Sequence, residues 1–257
     1  MMTIFKRVFA RKGNGKIMDK ETLGTTKVKN KISDYFQDVV DRFENLTKNL
    51  PFPKHLAVKN GKRTGQEFDV MQYFTVLTSL SLAGGYVLDY IYKWNPWGSR
   101  PILYVRKNTE ERLIIAPDYL NMPNPDDYLN YVHLENTEQG YFQFALLRLL
   151  GGKFYLTWHA NYFDTIIICN EDALNNVLEK YLFMQNRHED VIQKAKEIHV
   201  APQVIIEEKW ATVKLLTFSK WGGLFRQHMF IRRNYPHEID LKQPENLGYY
   251  PDVWITF

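Results

Sequence analysis

Apolar residues recur at three- and four-residue steps in the segment that follows residue 31. Its apolar positions are Ile32, Tyr35, Phe36, Val39, Val40, Phe43, Leu46 and Leu50. This spacing predicts an amphipathic helix, because it places the apolar side chains on one face of a helix with 3.6 residues per turn. We expect Pro51 and Pro53 to end the helix, since proline lacks the amide donor. Residues 1–28 have no such period and are predicted to be a flexible basic lead-in.

A second helix followed by strands is predicted in the next segment. Asp69 suits the N-cap of a helix that runs to about Leu82 and ends at Gly84 and Gly85. The residues after these glycines alternate between apolar and polar, and a turn interrupts them at residues 95–99. The strands predicted on this basis are 86–94, 101–106 and 112–115.

The same order of elements is predicted again further along the chain. A helix over residues 138–150, capped by Asn136 or Thr137, ends at Gly151 and Gly152. A hairpin of strands 153–159 and 164–169 is predicted to follow. This repetition suggests an internal duplication. Glycine is also the commonest residue after any helix, and that simpler explanation is favoured.

The last third of the chain predicts one more capped helix and then a meander. Asn170 caps a helix through Leu182, and a charged helical stretch follows over residues 188–198. The strands predicted beyond it are 204–208, 212–218, 224–232 and 253–257, with a tight turn at Trp221, Gly222 and Gly223. Helices and hairpins occur in blocks, so the predicted fold class is α+β: antiparallel β-hairpins and a meander packed against three to four helices. We expect one domain over residues 29–257, with a division into 29–116 and 127–257 as the alternative.

The amino-acid composition limits the classes of protein to which the chain can belong. The 257 residues are 45% hydrophobic, 24% charged and 15% aromatic, which is typical of a globular chain and excludes a disordered one. Its apolar runs are far shorter than the roughly 20 residues that span a bilayer, so no membrane segment is expected. With the single cysteine Cys169 and no secretory apolar segment, the cytoplasm is the expected location. An organelle transit peptide is the alternative for the basic N-terminus.

Charge is distributed unevenly along the chain. Residues 1–63 contain 15 Lys/Arg and 6 Asp/Glu, whereas residues 64–257 contain 18 and 23. The globular part is therefore mildly acidic, and nucleic acid is not the expected partner. Phosphate-binding glycine loops and the zinc-ligand patterns of histidine and cysteine are missing from the sequence, so neither a cofactor nor a metal is expected.

Asp89 is the first candidate catalytic residue. It shares a strand face with Val87 and Ile91, and a carboxylate on a buried face would need a partner or a raised pKa. The alternative is that the opposite face, with Leu88 and Tyr90, is buried and that Asp89 lies in water. We favour this alternative, because a strand in which apolar and polar residues alternate usually has one face exposed to solvent.

His159 and Asp164 are the other candidate catalytic residues. They lie on either side of the predicted turn at Ala160 and Asn161, where the carboxylate could orient the imidazole as a general base. Both residue types also form turns without any chemical role, which is the favoured interpretation. Cys169 follows three isoleucines and is expected to be an inert buried residue.

A strand near the C-terminus carries the candidate ligand-binding residues. Arg226, His228, Phe230 and Arg232 share one face, as a phosphorylated ligand or a single nucleic acid strand would require. The favoured alternative is an ordinary half-solvated strand. Trp97 in the first hairpin turn is a further candidate for ligand binding.

Three hypotheses of function follow from these patterns. The leading one is a non-enzymatic binding or interaction module, because aromatic side chains provide contact area at low entropic cost and no catalytic motif is assembled. Its expected partner is another protein. The second is a hydrolase or metal-assisted enzyme using Asp89, His159 and Asp164, and the third is nucleic acid binding through the basic N-terminal arm and the 226–232 face. The aromatic anchors expected for the first are Tyr86, Tyr90, Tyr92, Trp94 and Trp97.

Overall fold

The computed structural model describes residues 20–117, 121–162, 165–181, 193, 197–219 and 222–248. Its α-helices are α1 (Lys20–Asn45), α2 (Tyr73–Val76), α3 (Glu138–Leu150) and α4 (Glu171–Tyr181). Its strands are β1 (Leu80–Leu82), β2 (Tyr86–Lys93), β3 (Arg100–Lys107), β4 (Val132–Leu134), β5 (Ile166–Ile168), β6 (Gln203–Ile206), β7 (Trp210–Ser219), β8 (Gly223–Arg232), β9 (Ile239–Leu241) and β10 (Glu245–Gly248). All pairings between these strands are antiparallel, so the predicted α+β class is confirmed.

The first helix extends beyond the segment in which apolar residues recur at helical spacing. The predicted apolar face is buried through Phe36, Val39, Val40 and Phe43. However, α1 begins at Lys20 rather than near Ile32, so it extends into the segment that was predicted to be flexible. The added turns contain few apolar residues, and periodicity therefore could not detect them.

The helix predicted from Asp69 to Leu82 is wrong in its extent. Asp69 caps a short 3₁₀ turn, and its side chain accepts a hydrogen bond from the Met71 amide at 3.0 Å. The α-helical part, α2, ends at Val76, and residues 80–82 form β1, which pairs with β4. The strand pairing with a distant segment outweighs the weak helix preference of the intervening threonines and serines.

The hairpin of β2 and β3 is confirmed over its whole length. Its register pairs Asp89 with Tyr104 and Lys93 with Arg100. The third strand predicted over 112–115 is wrong, because these residues form an exposed loop. One backbone hydrogen bond, from the Arg63 amide to the Ile114 carbonyl at 2.9 Å, attaches this loop to the body of the protein.

Helix α3 is confirmed with its cap, but the second hairpin is wrong. The Thr137 side chain accepts a hydrogen bond from the Gly140 amide at 3.1 Å, as expected of an N-cap. Residues 158–162 form a 3₁₀ helix instead of part of a strand, and β5 pairs with β7. Positive φ angles of 50° at Tyr155 and 37° at Trp158 prevent a continuous strand there. The two segments therefore do not share the plan that a duplication would require.

The predicted meander forms the largest sheet. Its central strands are β7 and β8, with β5 and β6 along one edge and β9 and β10 along the other. Met229 and Ile231 on β8 point into the core, while Arg226 and His228 lie on the opposite face. Strand 253–257 and most of the charged stretch 188–198 lie outside the described residues.

A single large apolar cluster connects most of these elements. Helix α3 lies at its centre and contacts α1, β1, β4, β6 and β7. The Phe36 and Phe142 rings stack with centroids 4.2 Å apart, which joins α1 to α3. Tyr90 and Leu103 of the hairpin belong to the same cluster. A smaller cluster packs α4 against part of the outer face of the large sheet.

Candidate functional site

Two tryptophans and a histidine form a stacked surface at the end of the β2–β3 hairpin. The ring centroids of Trp97 and Trp158 are 5.4 Å apart, with an angle of 26° between the planes. His159 stacks on Trp158 at 4.0 Å and lies 6.4 Å from Trp97. Trp97 is 65% exposed and Trp158 is 54% exposed. We call Trp97, Trp158 and His159 the aromatic platform.

The turn before β3 holds Trp97 in its outward position. The Trp97 amide donates to the Asn95 side chain at 2.8 Å, and the Asn95 amide donates to the Ser99 hydroxyl at 3.0 Å. The Ser99 hydroxyl in turn donates to the Asn95 carbonyl at 3.0 Å. Asparagine and serine stabilise turns by such local bonds, so the sequence of this turn explains why Trp97 lies on a rigid base.

The loop that carries Trp158 is bound to this turn. The Ser99 amide donates to the Thr157 hydroxyl at 2.9 Å, and the Thr157 amide donates to the Ser99 carbonyl at 3.1 Å. Gly98 has a φ of 154°, and a Cβ atom there would lie 2.7 Å from the Ala160 nitrogen. Only glycine permits this close approach. The positive φ of Trp158 is a strained conformation that surrounding contacts must maintain, and such strain is common at functional positions.

Asp89, the first candidate catalytic residue, is buried rather than exposed to solvent. It is 5% exposed, so the favoured interpretation from the sequence is wrong. Arg63 donates from Nη1 to its Oδ1 at 2.6 Å, and Arg106 donates from Nε to its Oδ2 at 3.0 Å. The Arg112 Nε lies 4.0 Å from the same Oδ2. Both faces of β2 are buried here, because Ile91 packs with Ile102 and Tyr104 on the same face as Asp89, and the arginines pair with its carboxylate.

The electrostatic surroundings of Asp89 favour its charged form. Burial by itself would raise the pKa of the Asp89 carboxyl, but the hydrogen bond and charge of Arg63 outweigh it. The Tyr90 amide and Arg106 add further hydrogen bonds, and the net effect holds the pKa below its ordinary value. A carboxylate with a lowered pKa and occupied oxygens is a poor proton acceptor, which favours a structural role.

A second buried carboxylate extends this network. Glu67 Oε2 lies 3.9 Å from Arg63 Nε, and its Oε1 lies 2.7 Å from His55 Nε2. Burial opposes ionisation of Glu67, yet hydrogen bonds from Thr64 and His55 lower its pKa to about 2. The Arg63 guanidinium also stacks on the Tyr90 ring at 3.7 Å. Sequence reasoning missed Arg63 and Glu67, because no local pattern connects them to Asp89.

The three candidate catalytic residues are not shown together. Asp89 lies in the arginine network at the middle of β2, and His159 lies in the aromatic platform beyond the hairpin turn. Asp164 lies outside the described residues. The chemistry proposed for this trio therefore stays a prediction.

The structure brings together two of the candidate ligand-binding residues on β8. Arg226 and His228 line one cavity of about 250 Å³. Arg232 lies at the far end of the strand, where it donates to Glu238 at 3.0 Å. Trp97 belongs to the aromatic platform on a different part of the molecule. The sequence had not suggested Trp158 as its partner, and the only local signal was the unusual string Trp158, His159.

The expected aromatic anchors have different positions. Tyr90 and Tyr92 are buried in the core, so they cannot contact a partner. Trp94 is half-buried, and its indole donates to the Ala57 carbonyl at 3.0 Å. Tyr86 is also half-buried and packs on Tyr131 with centroids 4.8 Å apart. Trp97 is the anchor that is clearly exposed.

The chain matches no known family model, no curated protein and no solved structure. Among the described residues, no cluster of three or more His, Cys, Asp and Glu side chains has the arrangement of a metal site. No helix in the same part of the chain combines the length and apolar character needed to cross a membrane. Cys169 is buried, and burial raises the pKa of its thiol.

Proposed function

We propose that this protein is a non-enzymatic interaction module that binds a partner polypeptide on the aromatic platform. The observation that carries the proposal is the stacked pair of exposed tryptophans, Trp97 and Trp158, held at a hairpin turn. Large exposed aromatic side chains leave apolar area in water. Tryptophan is among the residues that contribute most to binding energy in protein interfaces.

Rigidity of the platform supports the proposal. Trp97 and Trp158 are held by two hydrogen bonds before any partner arrives: the Ser99 amide donates to the Thr157 hydroxyl, and the Thr157 amide donates to the Ser99 carbonyl. A surface that is already ordered loses little conformational entropy on binding. A tryptophan side chain also has few rotatable bonds, so it adds contact area at a small further entropic cost.

The charges beside the platform indicate what the partner presents. Lys93 and Arg100 lie directly opposite each other at the base of the turn that carries Trp97. The exposed Arg100 beside this turn favours a partner with carboxylates flanking an apolar or aromatic side chain, because complementary charges orient the encounter. We therefore expect an acidic peptide segment with at least one aromatic or aliphatic anchor.

A peptide-display selection on the wild-type protein tests the proposal. Selected peptides would be labelled, and their affinities for Trp97→Ala and Trp158→Ala measured by fluorescence anisotropy. We expect each substitution to weaken binding by about tenfold or more, which corresponds to about 1.4 kcal/mol or more for an interface hot spot. The selected sequences should be rich in Asp and Glu next to an aromatic residue.

Trp210→Ala is the matched control, since Trp210 is a partly exposed tryptophan on β7 in the large sheet. Its affinity for the selected peptides should equal that of the wild type. Circular dichroism would establish that all three variants are folded. The proposal fails if the selection returns no binder, if the binders keep their affinity for both platform variants, or if Trp210→Ala weakens them equally.

A further inference from the structure

A polar cavity lies on the outer face of the large sheet, beside the part that α4 covers. Strands β6, β7, β8 and β10 all contribute residues to its wall, and the segment around His199 closes one side. Its volume is about 250 Å³. The basic residues that line it are His199, Lys214, Arg226 and His228.

The register of the sheet brings these basic groups together. Lys214 on β7 is directly opposite His228 on β8, and Arg226 lies two residues from His228 on the same face. Lys214 is also opposite Gln203 on β6. Lys214 and Arg226 both carry positive charge on this face of neighbouring strands, so this arrangement costs stability unless an anion compensates it.

One carboxylate lies among the residues that line the cavity. Glu245 Oε2 is 3.6 Å from Arg226 Nη1 and 3.8 Å from His228 Nε2, and its side chain is more than half exposed. Both separations exceed those of a charge-assisted hydrogen bond, which is about 2.7–2.9 Å. Within the part of the chain that the structure describes, the Lys214 ammonium has neither an ion pair nor a hydrogen bond. Positive charge in the cavity is therefore only partly compensated.

We propose that this cavity is a binding site for a phosphoryl group carried by a small ligand. Arg226 and Lys214 would donate charge-assisted hydrogen bonds to the phosphoryl oxygens, and His228 would donate a further one from Nε2. The anion takes the place of Glu245, which lies within 4 Å of both Arg226 and His228. Buried Val200 and Leu216 provide an apolar wall for the carbon part of the ligand.

The surroundings of the cavity favour a small ligand over a nucleic acid strand. Beyond His228, the next side chain on this face is Phe230, and the Lys242 ammonium covers its ring at 4.6 Å. Arg232 follows and is already paired with Glu238 at 3.0 Å. Because Arg232 is paired with Glu238, β8 presents only Arg226 and His228 to an anion, whereas a polynucleotide backbone would need a longer row of basic residues.

Calorimetric titration of the full-length protein with inorganic pyrophosphate at constant ionic strength tests the site. We expect Lys214→Gln and Arg226→Gln each to weaken binding by about tenfold, the usual effect of removing one charge-assisted hydrogen bond. Glu245→Gln should strengthen binding, because it removes the carboxylate that competes with the anion.

Arg232→Gln is the matched control, since it removes the same charge from the same strand face outside the cavity. Its affinity for pyrophosphate should equal that of the wild type. The proposal is overturned if the wild type binds no more tightly than the Lys214→Gln and Arg226→Gln variants. A loss of affinity in Glu245→Gln, or an equal loss in Arg232→Gln, would also overturn it. Urea unfolding of each variant would establish that the compared proteins are equally folded.

Discussion

A buried charge can hold separate segments of a chain together when it is paired with groups of opposite charge. Asp89 does this for three arginines that come from different places: Arg63 from the loop before α2, Arg106 from β3 and Arg112 from the loop after it. Desolvating these groups is costly, and the mutual attraction offsets the cost only while the network is complete. Removing the carboxylate would leave the buried Arg63 guanidinium with Glu67, at 3.9 Å, as its remaining carboxylate partner in the network.

Asp89→Asn should therefore lower the free energy of unfolding by about 3–5 kcal/mol, measured by urea denaturation at pH 7. Asp38→Asn is the control, because Asp38 pairs with Arg42 at 3.5 Å on the exposed face of α1. An exposed pair contributes about 0.2–1 kcal/mol, so the control should lose no more than that. Equal losses in the two variants would contradict the structural role of Asp89.

Acid should reproduce part of this loss in the wild-type protein. The pKa of Asp89 is lowered in the folded state, so its contribution to stability is complete above the ordinary carboxyl pKa. The contribution disappears as the pH falls through the folded value. Asp89→Asn should show a weaker dependence of stability on pH in the acid range than the wild type.

Two irregular elements interlock to display the aromatic platform. The 95–99 turn and the loop before the 158–162 3₁₀ helix exchange hydrogen bonds through Ser99 and Thr157. Their contact is possible because Gly98 has no side chain where the Ala160 backbone approaches. The rigidity of the platform is thus a property of the pair of elements and not of either one.

Gly98→Ala should separate these two elements. The new methyl group would lie 2.7 Å from the Ala160 nitrogen at a φ of 154°, so one of the loops must move. We expect the free energy of unfolding to fall by about 1–3 kcal/mol and the near-ultraviolet circular dichroism of the tryptophan pair to change. Gly84→Ala is the control, because no atom lies within 4 Å of its added Cβ. A Gly98→Ala spectrum identical to the wild type would contradict the interlocking of the loops.

At the scale of the whole molecule, α3 organises the core. Most of its side chains are buried on every face of the helix, including Phe142, Phe144 and Leu146. The large sheet covers one side of the helix, and α1 and the β1–β4 pair cover others. Such a helix cannot be amphipathic, and its stability depends on all the layers being present.

Phe142→Ala should be among the most damaging substitutions in the described core. It removes the ring that stacks on Phe36 and leaves a cavity between α1 and α3, at a cost of about 3–5 kcal/mol in the free energy of unfolding. Val58→Ala is the control, since Val58 is 55% exposed and should change stability by less than about 0.5 kcal/mol. Thermal and urea unfolding would measure both. A loss below about 1 kcal/mol for Phe142→Ala would show that α3 is not central to stability.

Local patterns in the sequence determined much of this fold. The apolar face of α1, the Thr137 cap of α3, the Asn170 cap of α4 and the β7–β8 meander follow from periodicity and capping within short segments. These signals are reliable because both partners of each interaction lie within a few residues. Exposure of Trp97 also follows locally, from the turn that carries it.

Tertiary structure alone decided the environments of the candidate residues. Asp89 is buried at a point where Arg63, distant in sequence, donates a hydrogen bond to its carboxylate. The helix predicted from Asp69 stops early because residues 80–82 pair with a strand some fifty residues further on, Leu80 with Leu134. Trp158 meets Trp97 only because Gly98 admits the Ala160 backbone. Such contacts form between residues that no local pattern connects, so hydrophobic periodicity determined many of the helices and strands, whereas long-range packing decided where the chemically important side chains lie.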